Sequence, residues 1–372
     1  MNLSRRAFAR AAGAGAAAAV FAPLISVKPL FAVPPPAVKG DIRLSANENP
    51  YGPSPAALDA MREAFAKAWR YPDESQDALV AAIAKSHSVA HDQVLLGDGS
   101  SEILKVAAAA FTGPSRKLVM AAPTFEAIGA AAKITRAEIV NVPLDASYGH
   151  DVAAMGAVAG AGLIYICNPN NPTGSITPHA ALRGLLTSAP STTAILVDEA
   201  YFHYASSADY ESVIPLIASR PNLIVARTFS KIYGMAGLRC GYAVSSRETI
   251  KQLAAQQAWD SMNIMAIAAA QASLSDRQYV IEGSKRNAAT KADVVASLKK
   301  LGYEIIPSET NFIMVNVRRD VRPLLTAMHT HDVHVGRLFP ALPQHMRVTI
   351  GKPDQMQAFA KAFGEVVSTP HP

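Results

Sequence analysis

The chain has 372 residues, of which 50% are hydrophobic and 17% charged, a balance typical of a packed globular protein and not of a disordered or fibrous chain. The formal charge of +6 does not indicate a nucleic-acid partner, because four of the positive residues lie in residues 1–32, which contain no acid, and the rest carries only +2. The two cysteines, Cys167 and Cys240, fit neither a disulfide framework nor a CxxC metal motif.

Residues 1–32 have the features of an export signal. The sequence SRRAFAR, with Arg5 and Arg6, precedes a weakly hydrophobic stretch rich in alanine and glycine, and small residues follow. The paired arginines resemble the twin-arginine signal, which a receptor reads as an address. An amphipathic helix or an uncleaved membrane anchor is the alternative, but alanine and glycine interrupted by Pro23 make a poor membrane span. We therefore expect an exported, periplasmic protein without stable membrane association, or a cytoplasmic one if the signal does not function.

The rest of the chain predicts an arm and two domains, as its length also suggests. Turn-forming residues dominate the arm, residues 33–57. In residues 58–254, short apolar runs such as VLLG, LIYIC and AILV alternate with helical stretches, which favours a mostly parallel α/β sheet. In residues 255–372, long helical stretches precede the strand-like runs YEIIPSETNFIMVNV and MRVTIG, which indicates a smaller α+β domain.

Polar residues follow several of the predicted strands at the point where each strand ends. DGSSE (98–102) follows VLLG, NPNNPTG (168–174) follows LIYIC, DEAY (198–201) follows AILV, and Ser230 and Lys231 follow NLIVART. Each has an ordinary explanation as a helix cap, a turn or a surface residue. In an open α/β sheet, however, ligands bind at the carboxyl ends of the strands. Together the segments offer a phosphate cradle at a helix start, an amide, a carboxylate, a phenol and an amine.

Pyridoxal 5'-phosphate needs this set of groups. Its aldehyde forms a Schiff base with a lysine amine. Its ring nitrogen, kept protonated by a buried aspartate, makes the ring an electron sink for a substrate carbanion. Its phenolate oxygen accepts hydrogen bonds from a phenol and an amide, and an arginine can pair with its phosphate. The sequence therefore predicts pyridoxal 5'-phosphate as the cofactor.

The chain resembles the fold-type I pyridoxal-phosphate aminotransferases of class I/II, in particular the histidinol-phosphate aminotransferases. The resemblance rests on LSANENPYGPSP, NPNNPTG, DEAY, TFSKIYGMAGLRCGY and MRVTIG, which occur in the family's order between Leu44 and Gly351. It implies a mostly parallel seven-stranded sheet in a large domain with a smaller α+β domain, and a homodimer with shared active sites. It also implies transfer of an amino group from an amino acid to a 2-oxo acid or aldehyde acceptor, in two half-reactions.

The resemblance assigns roles around the cofactor ring. Lys231 would be the Schiff-base lysine and the base that moves the α-proton, and Asp198 would pair with the pyridine nitrogen. Asn171 and Tyr201 would bond the phenolate oxygen, so that Lys231, Asp198 and Tyr201 form the catalytic group. Phe125, where family members have tyrosine or tryptophan, would stack on the ring.

Further residues are assigned to the phosphate and to the neighbouring subunit. The predicted phosphate-side residues are Ser100, Ser101, Glu102, Ser230 and Arg239. Tyr71, in WRYPDES, matches the tyrosine that family members lend to the phosphate of the partner's site.

The substrate end departs from the family pattern. Arg347 matches the arginine that binds the substrate carboxylate, and Tyr51, Arg337 and Asn171 are expected to line the substrate site. Close relatives have a Val-Arg-Asp element before the carboxylate arginine, whereas this chain has Leu338 in place of the aspartate and a shorter, more apolar loop. We therefore expect an enzyme that uses glutamate or an aromatic amino acid, with true histidinol-phosphate aminotransferase activity as the alternative.

Two other interpretations remain open at this point, and a third, a metal site, is not supported. A related pyridoxal-phosphate decarboxylase shares nearly all of these motifs, and a non-catalytic pyridoxal-phosphate module would bind the cofactor without turnover. The histidine pairs in HSVAH and HTHDVH could suggest a metal site, but no cluster of acids or cysteines accompanies them, so no metal is predicted.

Overall fold

The computed structural model describes residues 40–368, so the predicted signal at residues 1–32 lies outside the described residues. The strands are β1 Ile42–Leu44, β2 Val94–Gly97, β3 Lys117–Ala122, β4 Ile139–Pro143, β5 Ala161–Cys167, β6 Ala194–Asp198, β7 Leu223–Thr228, β8 Gly241–Val244, β9 Glu304–Ile306, β10 Phe312–Asn316, β11 Val333–Val335 and β12 His345–Thr349. The α-helices are α1 Pro55–Ala64, α2 Asp73–His87, α3 Ser100–Phe111, α4 Ala127–Ile134, α5 Val152–Gly156, α6 His179–Ser188, α7 Arg247–Ala254, α8 Ile264–Ser275, α9 Arg277–Lys300, α10 Val321–Thr330 and α11 Pro353–Ser368.

The main sheet has seven strands in the order β2-β8-β7-β6-β5-β3-β4. Strands β7, β6, β5, β3 and β4 are parallel to one another. Strand β8 runs antiparallel to both β7 and β2. This arrangement confirms the predicted α/β class with a mostly parallel sheet.

The sheet is buried on both faces because its central strands are apolar at consecutive positions. On β6, Ile195 and Val197 belong to one hydrophobic cluster, and Ala194 and Leu196 belong to the other. Successive side chains of a strand point to opposite faces, so the two clusters lie on opposite faces of the sheet.

A second, smaller sheet contains β12, β10 and β9 in antiparallel order, and a third cluster packs against it. The arm contributes β1, which pairs in parallel with β11 and places Leu44 in this cluster. The proposed domain limits at residues 57 and 254 stay a prediction. Among residues 40–368, no helix is both long and apolar enough to cross a bilayer.

A buried ion pair joins the ends of two central strands. Arg227, on β7, donates from Nε and Nη2 to Oε2 of Glu199, the residue after β6, at 3.1 and 2.7 Å. The other oxygen of Glu199 accepts the backbone N–H of Val213 at 2.8 Å, and the Arg227 guanidinium lies 3.7 Å from the ring centre of Phe202. Because a buried charge without its partner costs about 3–5 kcal/mol, this pair fixes the strand ends from which Asp198 and the segment after β7 project.

Candidate active site

A cavity of about 170 Å³ lies at the carboxyl edge of the main sheet. Its lining residues are Ser100, Ser101, Phe125, Cys167, Asn171, Asp198, Ala200, Tyr201, Thr228, Ser230, Lys231, Ala236 and Arg239. Nine of these were predicted from the sequence as site residues. They meet because the carboxyl ends of parallel strands lie at one edge of a sheet.

Lys231 is held in this cavity by the arm. Its Nζ donates to the backbone oxygen of Asn47 at 3.3 Å and lies 5.5 Å from the ring centre of Tyr201. Burial, together with the positive charge of Arg347, lowers the pKa of Lys231 from 10.5 to about 8. A substantial neutral fraction therefore exists near physiological pH, and the neutral amine is the form that acts as a nucleophile or accepts a proton.

Asp198, the last residue of β6, lies at the floor of the cavity. Its Oδ2 accepts the hydroxyl of Tyr165 at 3.0 Å, and its Oδ1 accepts the N–H of Ala200 at 3.1 Å. Burial raises the pKa of Asp198 to about 6, although these two hydrogen bonds oppose the rise because they stabilise the carboxylate. A buried carboxylate of this kind favours a cationic partner, such as a protonated ring nitrogen.

Sequence reasoning did not identify Tyr165. It lies within the apolar strand β5 and is fully buried. The sequence did contain one sign of its role. A tyrosine within a buried strand needs a hydrogen-bond partner for its hydroxyl, which indicates a polar group nearby.

The arm residue Asn47 was also missed, and it connects the two sheets at the cavity. Its Nδ2 donates to the hydroxyl of Tyr201 at 3.0 Å, and its Oδ1 accepts the hydroxyl of Thr349, on β12, at 3.1 Å. Its backbone is left-handed, with φ of 54°, a conformation that asparagine adopts more readily than most residues.

Arg347, on β12, lies beside this network. Nη1 donates to Oδ1 of Asn171 at 2.7 Å and Nη2 to the backbone oxygen of Ser45 at 2.6 Å. Its buried Nε has no hydrogen-bond partner among residues 40–368. Burial lowers the pKa of Arg347 to about 10, so the side chain remains cationic at neutral pH. A fixed guanidinium with a free donor is suited to a carboxylate.

The start of α3 forms a cradle with Arg239. Gly99, with φ of 73°, precedes the helix, and a Cβ at this position would lie 2.0 Å from Nη2 of Arg239. Arg239 Nη1 donates to Oγ of Ser230 at 3.2 Å. The N-terminal N–H groups of α3 and this guanidinium therefore converge on a place where an anion can bind.

Five predicted site residues do not line the cavity. Oε2 of Glu102 accepts the N–H of Asp98 and the side chains of Gln257 and Ser261, so it secures the loop before α3. Tyr71 is 78% exposed in a surface groove. Their predicted roles stay predictions.

The other three residues, Arg347, Tyr51 and Arg337, were predicted to line the substrate site. Arg347 borders the network described above. The ring of Tyr51 lies 4.5 Å from the guanidinium of Arg286 and 5.7 Å from Nζ of Lys352. Arg337 forms an ion pair with Glu126.

Histidines of the segments HSVAH and HTHDVH contact other side chains by hydrogen bonds, ring packing and ion pairs. His87 shares a 2.8 Å hydrogen bond with the hydroxyl of Tyr242, and His334 lies against His329 and Asp41. Within residues 40–368, no group of three or more His, Cys, Asp or Glu side chains is placed to hold a metal ion.

Residues 39–363 match the model of the family described as aminotransferase class I and II. The chain belongs to this family. It is 37% identical over 336 residues to a histidinol-phosphate aminotransferase of Moorella thermoacetica, which covers 89% of this chain and 86% of the relative.

Two solved structures have the same fold. A putative histidinol-phosphate aminotransferase of Erwinia carotovora atroseptica has a TM-score of 0.85 at 32% identity and covers 90% of this chain and 98% of its own. The histidinol-phosphate aminotransferase of Sinorhizobium meliloti, solved with pyridoxal-5'-phosphate, has a TM-score of 0.85 at 28% identity and covers 95% and 99%. The predicted class I/II aminotransferase fold, activity and cofactor are therefore confirmed.

The residues of this class I/II aminotransferase fit pyridoxal 5'-phosphate. The cradle formed by Gly99, the start of α3 and Arg239 suits the phosphate, Asp198 suits a protonated ring nitrogen, and Lys231 offers a partly neutral amine. When bound, the cofactor supplies an aldehyde for amines and an electron-withdrawing ring. Nζ of Lys231, the predicted acceptor of the α-proton, is held against Asn47 and Tyr201, and the guanidinium of Arg347, predicted to bind the substrate carboxylate, is fixed beside them by Asn171.

Proposed function

We propose that this aminotransferase takes its amino group from an amino acid whose carboxylate binds Arg347, with glutamate or an aromatic amino acid as donor and a 2-oxo acid or aldehyde as acceptor. The observation that carries the proposal is the buried guanidinium of Arg347, which is fixed by Asn171 and Ser45 and keeps Nε free of protein partners within residues 40–368. Two parallel N–H donors on one guanidinium match the two oxygens of a carboxylate.

The second candidate is histidinol-phosphate aminotransferase activity. Relatives that are histidinol-phosphate aminotransferases favour it, with identities of 34–37% over most of both chains. The loop before Arg347 favours the first candidate because it has Leu338 where an aspartate would be expected in close relatives.

The test uses the purified enzyme with its cofactor, whose absorbance reports amine transfer. L-glutamate, L-phenylalanine, L-tyrosine and L-histidinol phosphate are each added alone, and the rate and extent of bleaching are compared. Transfer from glutamate or the aromatic amino acids, at higher kcat/KM than from histidinol phosphate, is the expected result. Transfer from histidinol phosphate alone among the non-glutamate donors would support the second candidate instead.

We also propose a homodimer in which Tyr71 reaches the partner's cofactor site. Its support is a set of exposed large aromatic side chains, Phe65, Trp69, Tyr71 and Trp259, which are 63–94% exposed and of which Trp69 and Tyr71 line one groove. Exposed apolar side chains that share a groove are a feature of interaction sites.

The shared site is tested by mixing subunits. Lys231→Ala and Tyr71→Ala subunits are purified separately, then mixed under conditions that allow exchange. If sites are shared, mixed dimers contain one site with both wild-type residues, and activity rises above the sum of the separate proteins. A mixture that dimerises and exchanges without any gain would contradict the shared site.

We propose export through the twin-arginine route, supported by the pattern in residues 1–32. The replacement of Arg5 and Arg6 by lysine is expected to keep the protein in the cytoplasmic fraction, as detected by immunoblotting of cell fractions. Equal distribution of the wild type and the variant would contradict this route.

A further inference from the structure

An ion pair joins Glu126, next to the cavity residue Phe125, to Arg337, on the loop before Arg347. Nη2 of Arg337 donates to Oε2 of Glu126 at 2.7 Å, and the two side chains are 40% and 47% exposed. Glu126 follows Phe125, which lines the cavity. Nη1 of Arg337 donates to the backbone oxygen of Leu338, so the guanidinium already uses two of its groups within the protein.

The loop that carries Arg337 is attached to Arg347. The N–H of Gly336 donates to the backbone oxygen of Arg347 at 2.8 Å. The ring of Phe339 lies 4.5 Å from the guanidinium of Arg337 and 5.0 Å from that of Arg347. Both cations therefore contact one aromatic ring, and Arg337 is the neighbouring cation of the carboxylate-binding arginine.

We propose that Glu126 is a specificity-determining residue: its carboxylate occupies the guanidinium of Arg337, so this wall of the substrate site favours the aromatic donors of the proposed function over glutamate and over a phosphate-bearing substrate. The inference rests on the proposed function, since it takes Arg347 as the site of the donor carboxylate.

The physical reason is competition for one cation. A second anionic group of a substrate must displace Glu126 from Arg337 and then lie beside a carboxylate of like charge, which is unfavourable. An apolar side chain needs no such displacement and meets the ring of Phe339, which is 5% exposed and packs with Tyr148, Met314 and Leu342. Selectivity here is obtained through repulsion as well as attraction.

The test removes the charge of Glu126 and keeps its shape. In the holoenzyme, Glu126→Gln is expected to raise the ratio of kcat/KM for L-glutamate to that for L-phenylalanine by about fivefold, and Glu126→Ala by a similar factor. Binding of succinate, a dicarboxylate that carries no amine, is expected to tighten by about the same factor in isothermal titration. Glu126→Asp, which keeps the charge, is expected to lie closer to the wild type.

A matched control is available on the surface. Glu211 accepts from Nη2 of Arg183 at 3.0 Å, and these side chains are 51% and 53% exposed, so the pair resembles Arg337–Glu126 in kind but lies outside the described site. Glu211→Gln is expected to leave the donor ratio and the succinate affinity unchanged.

The outcomes separate this inference from the proposed function. Unchanged ratios and succinate affinity in both Glu126→Gln and Glu126→Ala would overturn the role of Glu126, even if the wild type uses aromatic donors. A wild type that transfers amine most efficiently from L-histidinol phosphate would overturn it as well, because that substrate carries a phosphate. Tighter succinate binding in the variants, without amine transfer from any α-amino acid by the wild type, would support Glu126 and contradict the proposed donors.

Discussion

The buried amine of Lys231 is expected to lower the free energy of unfolding of the cofactor-free protein at neutral pH. The pKa of Lys231 falls from 10.5 to about 8 in the folded protein, mainly through burial. Each pH unit between the folded and unfolded values corresponds to about 1.4 kcal/mol, so the charged amine destabilises the fold by about 3 kcal/mol below pH 8. Removing the amine would also remove its hydrogen bond to the backbone oxygen of Asn47. The loss of this bond reduces the expected gain in the free energy of unfolding by about 1 kcal/mol.

Lys231→Met keeps the length of the side chain and removes the charge. Since the folded pKa is lowered, the cost is fully present below about pH 8 and disappears as pH rises towards 10.5. The cofactor-free variant is therefore expected to have a free energy of unfolding about 2 kcal/mol above the wild type at pH 7, with no advantage at pH 10.5.

The assay is urea unfolding of both cofactor-free proteins at pH 7 and pH 10.5, followed by circular dichroism. Lys105→Met, at an exposed position on α3, is the control and should change the two free energies equally. A Lys231→Met protein that is less stable than the wild type by the same amount at both pH values would refute the reasoning.

The remaining predictions concern the groups around the lysine. Tyr165→Phe removes a hydrogen bond to the Asp198 carboxylate, so the pKa of Asp198 should rise above about 6, and the pH at which cofactor affinity is half lost should rise by about one unit. Gly99→Ala places a Cβ against Arg239 at a left-handed position and should weaken cofactor binding about tenfold in equilibrium dialysis. Arg347→Lys loses the fork of parallel donors and should lower kcat/KM for carboxylate donors about 30-fold, with little effect on cofactor affinity.

Two of these predictions have a matched control in the same fold. Gly184→Ala, within α6, meets no atom within 4 Å and should leave cofactor binding unchanged. Tyr204→Phe removes another buried tyrosine hydroxyl and should leave the pH dependence of cofactor binding unchanged. A change in cofactor affinity as large in Gly184→Ala as in Gly99→Ala, or an upward shift of the pH dependence in Tyr204→Phe equal to that in Tyr165→Phe, would contradict the explanations given. Full kcat/KM with carboxylate donors in Arg347→Lys would contradict the role given to the guanidinium of Arg347.

The part of the site that follows strand ends could be predicted from the sequence. Asp198 ends the apolar strand β6, Lys231 and Asn171 come shortly after the ends of β7 and β5, and parallel pairing brings such positions to one edge of the sheet. The alternation of strands and helices also predicts the main sheet, because period and length are local properties of the sequence.

The contacts between distant segments could not be predicted in this way. Asn47 bonds Tyr201 and Thr349, which lie 154 and 302 residues further along the chain, and no local pattern records such pairings. Glu126 and Arg337 are 211 residues apart, and Glu126 alone looks like an ordinary residue before a helix. The predicted role of Glu102 at the phosphate stays a prediction, and the contacts of its side chain with Asp98, Gln257 and Ser261 were likewise not visible in the local sequence.

The electrostatics of the site couple cofactor binding to folding. Burial moves the pKa of Lys231 to about 8, of Asp198 to about 6 and of Arg347 to about 10, in each case towards the neutral form. A cationic ring nitrogen at Asp198 would provide the opposite charge for a carboxylate that burial disfavours, and a phosphate dianion at the cradle would provide the opposite charge for Arg239. A ligand that binds only the folded state stabilises it by an amount that grows with the logarithm of its affinity. Variants that weaken the cradle should therefore lower the melting temperature of the holoenzyme more than that of the cofactor-free protein. Gly99→Ala tests this point, because its clash lies at Arg239 and leaves the hydrophobic clusters untouched.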